Sequence, residues 1–513
     1  MPALSSTVTI GVVGAGAMGA GIAQVAAQAG HAVRLYDMQP GAADKTIAGM
    51  TRALLRLAEK GKLSAADAAA IPARVRPASS LSDMADCGLV IEAIVERLDS
   101  KRSLFGELEG IVAPDCILAT NTSSLSITAI AAGMQAPPRF VGMHFFNPAP
   151  LMALVEVVTG LATAAEVTAA IRDTARAWGK SPVVAQSTPG FIVNRVARPY
   201  YGESLRLLHE RAADPATIDA VMREAGGFRM GPFELMDLIG LDVNYAVSNS
   251  VYNAYFQDPR FKPSLIQQEM VAAGYLGRKS GRGFFAYGDS NRSAAPPAPA
   301  AEPARAFSGK VIARGALRLL GPLVERLRAA GVAIETLPAE TRIGAGYLQI
   351  GDCVVLLTDG RTATAHAAQS NFANLVKLDL AFDYAKATRC AVARADQCGA
   401  AGFDDVVALL QAGGFAVSRL DDAPALAVMR TVAMLANEAA DAVHQGVCNA
   451  ADCDTGMQKG VNYPRGPLAW ADAIGIDTVV GVLDNLCAHY GEDRYRVSPL
   501  LRRKLAAGGS FHG

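Results

Sequence analysis

The chain has 513 residues, 51% hydrophobic and 19% charged, with Lys+Arg and Asp+Glu balanced at 48 each. At roughly 100–200 residues per domain this implies about three to five domains and excludes wholesale disorder. A net charge of zero leaves no global field for nucleic acid or anionic membrane. Eight cysteines without a C-x-x-C pair argue against a disulfide scaffold, a zinc ribbon or another metal site, and fit a reducing cytoplasm.

From Thr7 to Val33 no residue is formally charged, a length that mimics a membrane span. The six glycines within it, the glutamines Gln24 and Gln28, and a leader Met1–Ser6 without Lys or Arg argue instead for a buried, soluble segment without a signal peptide. Val8–Val13 reads as a strand running into Gly14-Ala-Gly16-Ala17-Met18-Gly19. A helical pattern follows, Gly30 is placed to end it, and a second strand, Ala32–Tyr36, stops at Asp37. Residues 41–76 have the spacing of a helical hairpin. Strand patterns return at Gly88–Ile94, Cys116–Thr120, Phe140–Met143 and Leu151–Val158. Strands alternating with helices imply an α/β fold with a mostly parallel, doubly wound sheet. Residues 189–274 are helical in pattern, and the Ala/Pro-rich segment that follows, with Pro296, Pro297, Pro299 and Pro303, reads as a flexible linker.

Beyond the linker the chain repeats itself. Residues 189–242 moved forward by 235 positions give 14 identities in 54, including Arg195/Arg430, Glu203/Glu438, Asp219/Asp454 and Gly231-Pro232/Gly466-Pro467. The preceding α/β part repeats more faintly. Gly14 meets Gly315, but Gly16 and Gly19 meet Leu317 and Leu320, and Asp37 meets Pro338. The expected order is a Rossmann domain over residues 1–187, a helical domain over 188–287 and a linker over 288–306. A degenerate Rossmann-like copy over 307–422 and a second helical domain over 423–513 complete it.

The glycine motif follows a strand, opens a helix and is followed by an acid at the end of the next strand, as a dinucleotide-binding turn requires. Gly14 permits the tight turn, Gly16 a pyrophosphate against the backbone, and Gly19 close helix–sheet packing, while the helix N-terminus offers free N–H groups. Asp37 suits ribose hydroxyls and repels a 2′-phosphate, so NAD is favoured over NADP. A second constellation is Asn121-Thr-Ser123 after a strand, then His144, then Glu156, each expected at or just beyond the carboxyl end of a strand. An imidazole has the near-neutral pKa needed to take a hydroxyl proton as hydride leaves, and a carboxylate fixes its tautomer. Taken alone, His144 beside Phe145 and Phe146 equally fits a packed core histidine, and Glu156 a solvent-facing edge residue.

These motifs stand within a longer ordered series: V-V-G-A-G-A-M-G-A-G-I-A-Q, V-I-E-A-I-V-E-R, A-T-N-T-S-S-L, G-M-H-F-F-N-P, T-P-G-F-I-V-N-R-V and G-P-F-E-L-M-D-L-I-G-L-D. Over roughly residues 7–288 the chain resembles the L-3-hydroxyacyl-CoA dehydrogenases of fatty-acid and aromatic (phenylacetate) degradation. The resemblance implies that His144 is the base, Glu156 its orienting acid, Ser123 a hydrogen-bond partner of the substrate oxygen, and Asn194 a support for the substrate. It places Gly14, Gly16, Ala17, Met18, Gly19, Asp37, Ala93, Glu96, Lys101 and Asn121 at the cofactor, and makes Arg56 and Lys60 candidates for CoA phosphates. The implied reaction is NAD-dependent oxidation of (3S)-3-hydroxyacyl-CoA to 3-oxoacyl-CoA, with 3-hydroxybutyryl-CoA or 3-hydroxyadipyl-CoA as substrate types.

Single-module members pair through their helical domains, so two such domains in one chain imply an intrachain pseudo-dimer; further self-association stays open. In the second repeat Asn194 becomes Met429, Asp379 falls opposite His144 and Ala391 opposite Glu156, which leaves no catalytic set there. The alternatives are a β-hydroxyacid dehydrogenase acting on free acids, whose base is a lysine, and an inactive crystallin-like relative.

Overall fold

The computed structural model describes residues 2–288, 297–338 and 346–513. In the first repeat the elements run β1 (Thr9–Val13), α1 (Ala17–Gln28), β2 (Val33–Tyr36), α2 (Ala42–Glu59), α3 (Ala65–Ala73), β3 (Val75–Pro77), β4 (Cys87–Glu92) and α4 (Leu98–Glu109). Then come β5 (Ile117–Thr120), α5 (Ile127–Ala131), β6 (Phe140–Phe145), β7 (Leu154–Thr159), α6 (Ala165–Ala177) and β8 (Ser181–Gln186). The helical part comprises α7 (Val193–Val196), α8 (Arg198–His209), α9 (Pro215–Glu224), α10 (Pro232–Ile239), α11 (Leu241–Ala254) and α12 (Leu265–Ala272). The second repeat runs β9 (Val311–Arg314), α13 (Gly321–Ala329), β10 (Ile334–Leu337), β11 (Tyr347–Ile350), β12 (Cys353–Leu357), α14 (Ala363–Ser370), β13 (Leu375–Leu378), β14 (Arg389–Arg394), α15 (Ala400–Ala412) and β15 (Ala416–Arg419). It ends with α16 (Val428–His444), α17 (Ala450–Gly460), α18 (Pro467–Ile474), α19 (Ile476–Tyr490) and α20 (Pro499–Ala506).

The first compact unit holds residues 1–195 together with 445–461. Its sheet has the order β3-β2-β1-β4-β5-β6-β7-β8, parallel except between β6 and β7. Ile10, Val12, Leu35, Leu89 and Ile91 are fully buried, as expected of a sheet covered by helices. Three points differ from the sequence reading. The segment 41–76 ends in the edge strand β3 rather than in helix. Strand β6 extends through His144 to Phe145. Strand β8 closes the other edge, so β7 is an interior strand and Glu156 is buried rather than solvent-facing.

The second compact unit holds residues 196–444 and 462–513, so it gathers the second sheet and most of both helical repeats. Its sheet, β10-β9-β11-β12-β13-β14-β15, is a reduced version of the first. Where β4 and the α4 crossover lead to β5 in parallel, β11 turns through Gly351 and pairs antiparallel with β12. The hairpin of α2 and α3 has no counterpart among the described residues. The linker reading needs amendment too. Residues 289–296 lie outside the described residues, but Ala300 N–H donates to Thr217 Oγ1 (2.9 Å), Glu302 N–H to Val417 O (2.8 Å) and Arg305 N–H to Gln411 Oε1 (2.8 Å). That stretch is docked against β15 and α15, not a free coil.

The helical repeats show why the duplicated residues persist. Pro232 and Pro467 sit in the first turns of α10 and α18, where the missing N–H costs nothing. Gly240 and Gly475 follow with φ of 99° each, a conformation that L side chains avoid. Asp219 takes the N–H groups of Phe233 and Glu234 at 2.9 and 2.8 Å, and burial pushes its carboxyl up to about 7. Helices α8 and α16 pack together around the fully buried Glu203, which receives Arg430 Nε (2.9 Å), Arg494 Nη2 (2.7 Å) and the Tyr495 hydroxyl (2.9 Å). The equivalent Glu438 is paired with Arg260 at 3.2 Å. Among the described residues no helix is long and apolar enough to cross a membrane, and no cluster of three His, Cys, Asp or Glu could hold a metal.

Burial opposes the charge of Glu203, but Arg494 and Arg430 outweigh it and hold the carboxyl down to about 2. This stabilisation is present above the ordinary carboxylate value of 4.5 and is lost as pH falls toward 2. Glu203→Gln leaves two buried guanidinium groups short of their counter-charge, so urea denaturation should show a loss of about 3–5 kcal/mol. The pH dependence of unfolding below about pH 4 should flatten in the same variant.

Candidate active site

The turn from β1 into α1 is built for an anion. Gly14 has φ of 106°, and a Cβ there would lie 2.5 Å from Ala93 O. A Cβ on Gly19 would lie 1.7 Å from Gly14 O, so this glycine sets the approach of α1 to the strand. A Cβ on Gly16 would meet nothing within 4 Å, so the space beside that backbone is open. No side chain caps α1 and no acid stands in its first turn, leaving its N–H groups for a ligand. Asp37, just past β2, accepts from Ala15 N (2.7 Å, Oδ2) and Gln39 N (2.9 Å, Oδ1), so its carboxylate is fixed beside the turn. A dinucleotide fits this set: phosphates against Gly16 and the helix end, a ribose at Asp37.

At the carboxyl ends of β4 and β5 a buried ion network shapes the Ser123 loop. Lys101, 1% exposed, binds Glu92 Oε1 (2.5 Å) and Glu96 Oε2 (3.2 Å), and Glu92 also takes the Thr120 hydroxyl (2.6 Å). Glu96 Oε1 in turn accepts from Thr122 Oγ1 (2.6 Å), Ser123 N (2.9 Å) and Ser124 N (3.1 Å). Burial raises the Glu96 carboxyl, but the Thr122 hydroxyl, Lys101, the Ser123 amide and the Ser124 hydroxyl more than offset it and keep it below the usual range. The Lys101 ammonium is engaged by both glutamates and so fixes Glu96 beneath the Ser123 loop. Asn121 Oδ1 accepts from Phe145 N at 2.8 Å and ties the end of β5 to the residue after His144.

His144 and Glu156 are register partners across the antiparallel β6/β7 pair, so their side chains leave the same face. The expectation that Glu156 lies at a carboxyl strand end is corrected: β7 runs opposite to β6, and Glu156 is its third residue. His144 Nδ1 lies 2.7 Å from Glu156 Oε2, and the other oxygen accepts from Ile192 N and Val193 N, both at 3.0 Å. The imidazole sits against the rings of Phe146 (4.6 Å) and Phe191 (5.9 Å). With Nδ1–H donated to the carboxylate, Nε2 carries the lone pair. Asn194 follows Val193 directly, so the same backbone that caps Glu156 presents it, partly exposed. Arg56 and Lys60 are exposed one turn apart at the end of α2, and Arg52 extends their row, a residue that sequence reasoning passed over.

The second unit has no equivalent set. A Cβ on Gly346 would lie 2.2 Å from Ala316 O, so chain fills the space beside the turn after β9, and Leu320 is buried beneath it. Asp379, in the place of His144, accepts from Ala427, Val428 and Met429 N–H at 2.9, 2.7 and 3.0 Å. A cluster not foreseen from the sequence joins Lys377 Nζ to Asp359 (2.8 Å) and to His366 Nδ1 (2.7 Å). Burial and the neighbouring Lys377 push His366 down to about 3, and its lone pair is already engaged.

The model of the 3-hydroxyacyl-CoA dehydrogenase NAD-binding domain matches residues 9–188, and that of the C-terminal domain matches 190–287 and again 426–510. The chain belongs to the 3-hydroxyacyl-CoA dehydrogenase family, whose members are NAD-dependent oxidoreductases. Residues 355–424 match the reduced Rossmann-fold domain of 3-hydroxybutyryl-CoA dehydrogenase, in keeping with the reduced second sheet. The chain is 43% identical to the 3-hydroxyadipyl-CoA dehydrogenase of Escherichia coli K12 over 97% of both proteins. It is 40% identical to the 3-hydroxybutyryl-CoA dehydrogenase of Clostridioides difficile over 54% of this chain and 99% of that one. The crystal structure of an Escherichia coli 3-hydroxybutyryl-CoA dehydrogenase superposes with a TM-score of 0.88 at 42% identity, covering 98% of this chain and all of the other.

Gly16, Gly19 and Asp37 of this dehydrogenase should separate by experiment. Gly16→Ala should melt like the parent yet bind NADH about tenfold or more weakly, because its methyl occupies the open space alone. Gly19→Ala should lose thermal stability. Asp37→Ser should lower the NAD/NADP ratio of kcat/KM, measured with both cofactors.

Proposed function

We propose that this chain oxidises (3S)-3-hydroxyacyl-CoA to 3-oxoacyl-CoA at a single site in its first repeat, with His144 as the base. The observation that carries the reading is the buried His144–Glu156 pair, which leaves Nε2 as a proton acceptor. Bound NAD supplies the nicotinamide ring that accepts the hydride from C3. Nε2 takes the hydroxyl proton as the carbonyl forms, and Glu156 stabilises the imidazolium and keeps the ring in its tautomer. Ser123 holds the substrate oxygen, Asn194 supports the acyl group, and Arg56 and Lys60 face the CoA phosphates.

A full-length relative named for 3-hydroxyadipyl-CoA supports a short acyl chain with a distal carboxylate, beside the 3-hydroxybutyryl-CoA named by the full-length solved structure. Pairing of the two helical repeats through α8, α16 and the Glu203 cluster takes the place of a partner subunit. Eight unpaired thiols support a cytoplasmic location.

Steady-state assays with acetoacetyl-CoA and NADH test the chemistry. His144→Gln should lower kcat by about 10²–10⁴ while NADH binding is retained. A variant keeping more than about a tenth of the rate would remove His144 from the role. Calorimetry should find one NADH per chain, and a panel of acyl chain lengths and dicarboxylates should peak at the 3-hydroxyadipyl substrate.

A further inference from the structure

We propose that residues 445–461, contributed by the second repeat, are a positioning element for the His144–Glu156 pair, acting through contacts of Gly456 and Gly460. The inference rests on the catalytic reading of that pair.

Glu156 is held from two sides, by β7 and by the amides of Ile192 and Val193. Helix α17 touches both supports. A Cβ on Gly456 would lie 3.2 Å from Ile192 Cγ2, and one on Gly460 would lie 2.6 Å from Leu154 Cδ2 and 3.1 Å from Val193 Cγ2. Leu154 and Glu156 are two residues apart on β7 and so project from the same face, which is the face that α17 covers. The preceding loop and the first turn of α17 are anchored to the edge strand, with Gln186 N donating to Val447 O (2.8 Å) and Val184 N to Asp452 Oδ2 (3.3 Å). The 445–461 segment is thereby fixed to β8 at one end and pressed on the Glu156 supports along its length.

The copy of this helix elsewhere in the chain supplies the comparison. Gly456 and Gly460 correspond, 235 residues earlier, to Val221 of α9 and Ala225 at its C-terminal cap. Helix α9 packs on the second sheet, where Phe382 N donates to Ala225 O (2.8 Å) and Arg389 binds Glu224 (3.0 Å). There Ala391 stands in the position of Glu156 and no histidine faces it. Glycine is a poor helix former, and the copy that faces no catalytic pair does without it at both positions.

The test is a set of variants in the full chain, assayed with acetoacetyl-CoA and NADH. Gly460→Val should lower kcat about 10–100-fold, since a misplacement of about 1 Å at a reacting group costs up to ~10²-fold. KM for NADH should stay within about twofold, because Gly16 and Asp37 follow β1 and β2, away from β7. Placed in a Glu156→Gln background, the same substitution should change kcat less than about twofold, the non-additivity expected when both act through one carboxylate. Val193→Ala should restore part of the rate to Gly460→Val. Ala225→Val, the matched change at the C-terminal cap of α9, should lower the melting temperature and leave kcat unaltered. Gly456→Ala is the milder probe and decides the matter if Gly460→Val does not fold. Wild-type kcat in the folded glycine variants, or additive losses with Glu156→Gln, would overturn the bracing alone. An intact kcat in Glu156→Gln itself would overturn the catalytic pair and the bracing together.

Discussion

The arrangement turns on one buried carboxylate. Glu156 is 0% exposed, and a buried charge is tolerated only when its oxygens are fully engaged. Here three donors converge on it: His144 Nδ1 and the amides of Ile192 and Val193. The antiparallel turn of β7 against an otherwise parallel sheet puts the carboxylate opposite the imidazole. The chain reversal before α7 brings up the amides, and with them Asn194. Moving any of these elements would leave either a buried charge short of donors or a histidine without its tautomer fixed.

The second repeat shows which part of that duty is structural. Its helix-opening amides, Ala427 and Val428, are the counterparts of Ile192 and Val193, and they too end on a buried carboxylate, now Asp379. The carboxylate has moved from the position of Glu156 to that of His144, one strand over. Capping the chain reversal has been kept, while the imidazole has no counterpart there. Burial pushes Asp379 up to about 6, against the pull of the amides it binds.

What could be read in the sequence was what local geometry demands. Gly14 needs its positive φ and Gly19 its contact with Gly14 O, and both requirements lie within six residues. The His144–Glu156 pair was legible through motif resemblance, whereas the direction of β7 and its place inside the sheet depend on β8, whose Ser181–Gln186 pattern is too weak alone. The burial of Lys101 between Glu92 and Glu96, and the joining of Lys377, His366 and Asp359, are set by where strand ends meet and carry no spacing signature. The repeat at 235 residues was visible, but not the exchange by which α17 packs beside the first sheet and α9 beside the second. Identical spacing says which segments correspond and is silent on which sheet each one covers.

That exchange bears on how the molecule behaves at low abundance. A helix lent by a separate polypeptide departs when its concentration falls below the dissociation constant. A covalently attached one is present at an effective concentration on the order of millimolar, whatever the dilution. Segment 445–461 is joined to β7 through the chain itself, so its docking is a first-order event. The contact between this segment and the first sheet is therefore a property of each polypeptide and does not weaken on dilution.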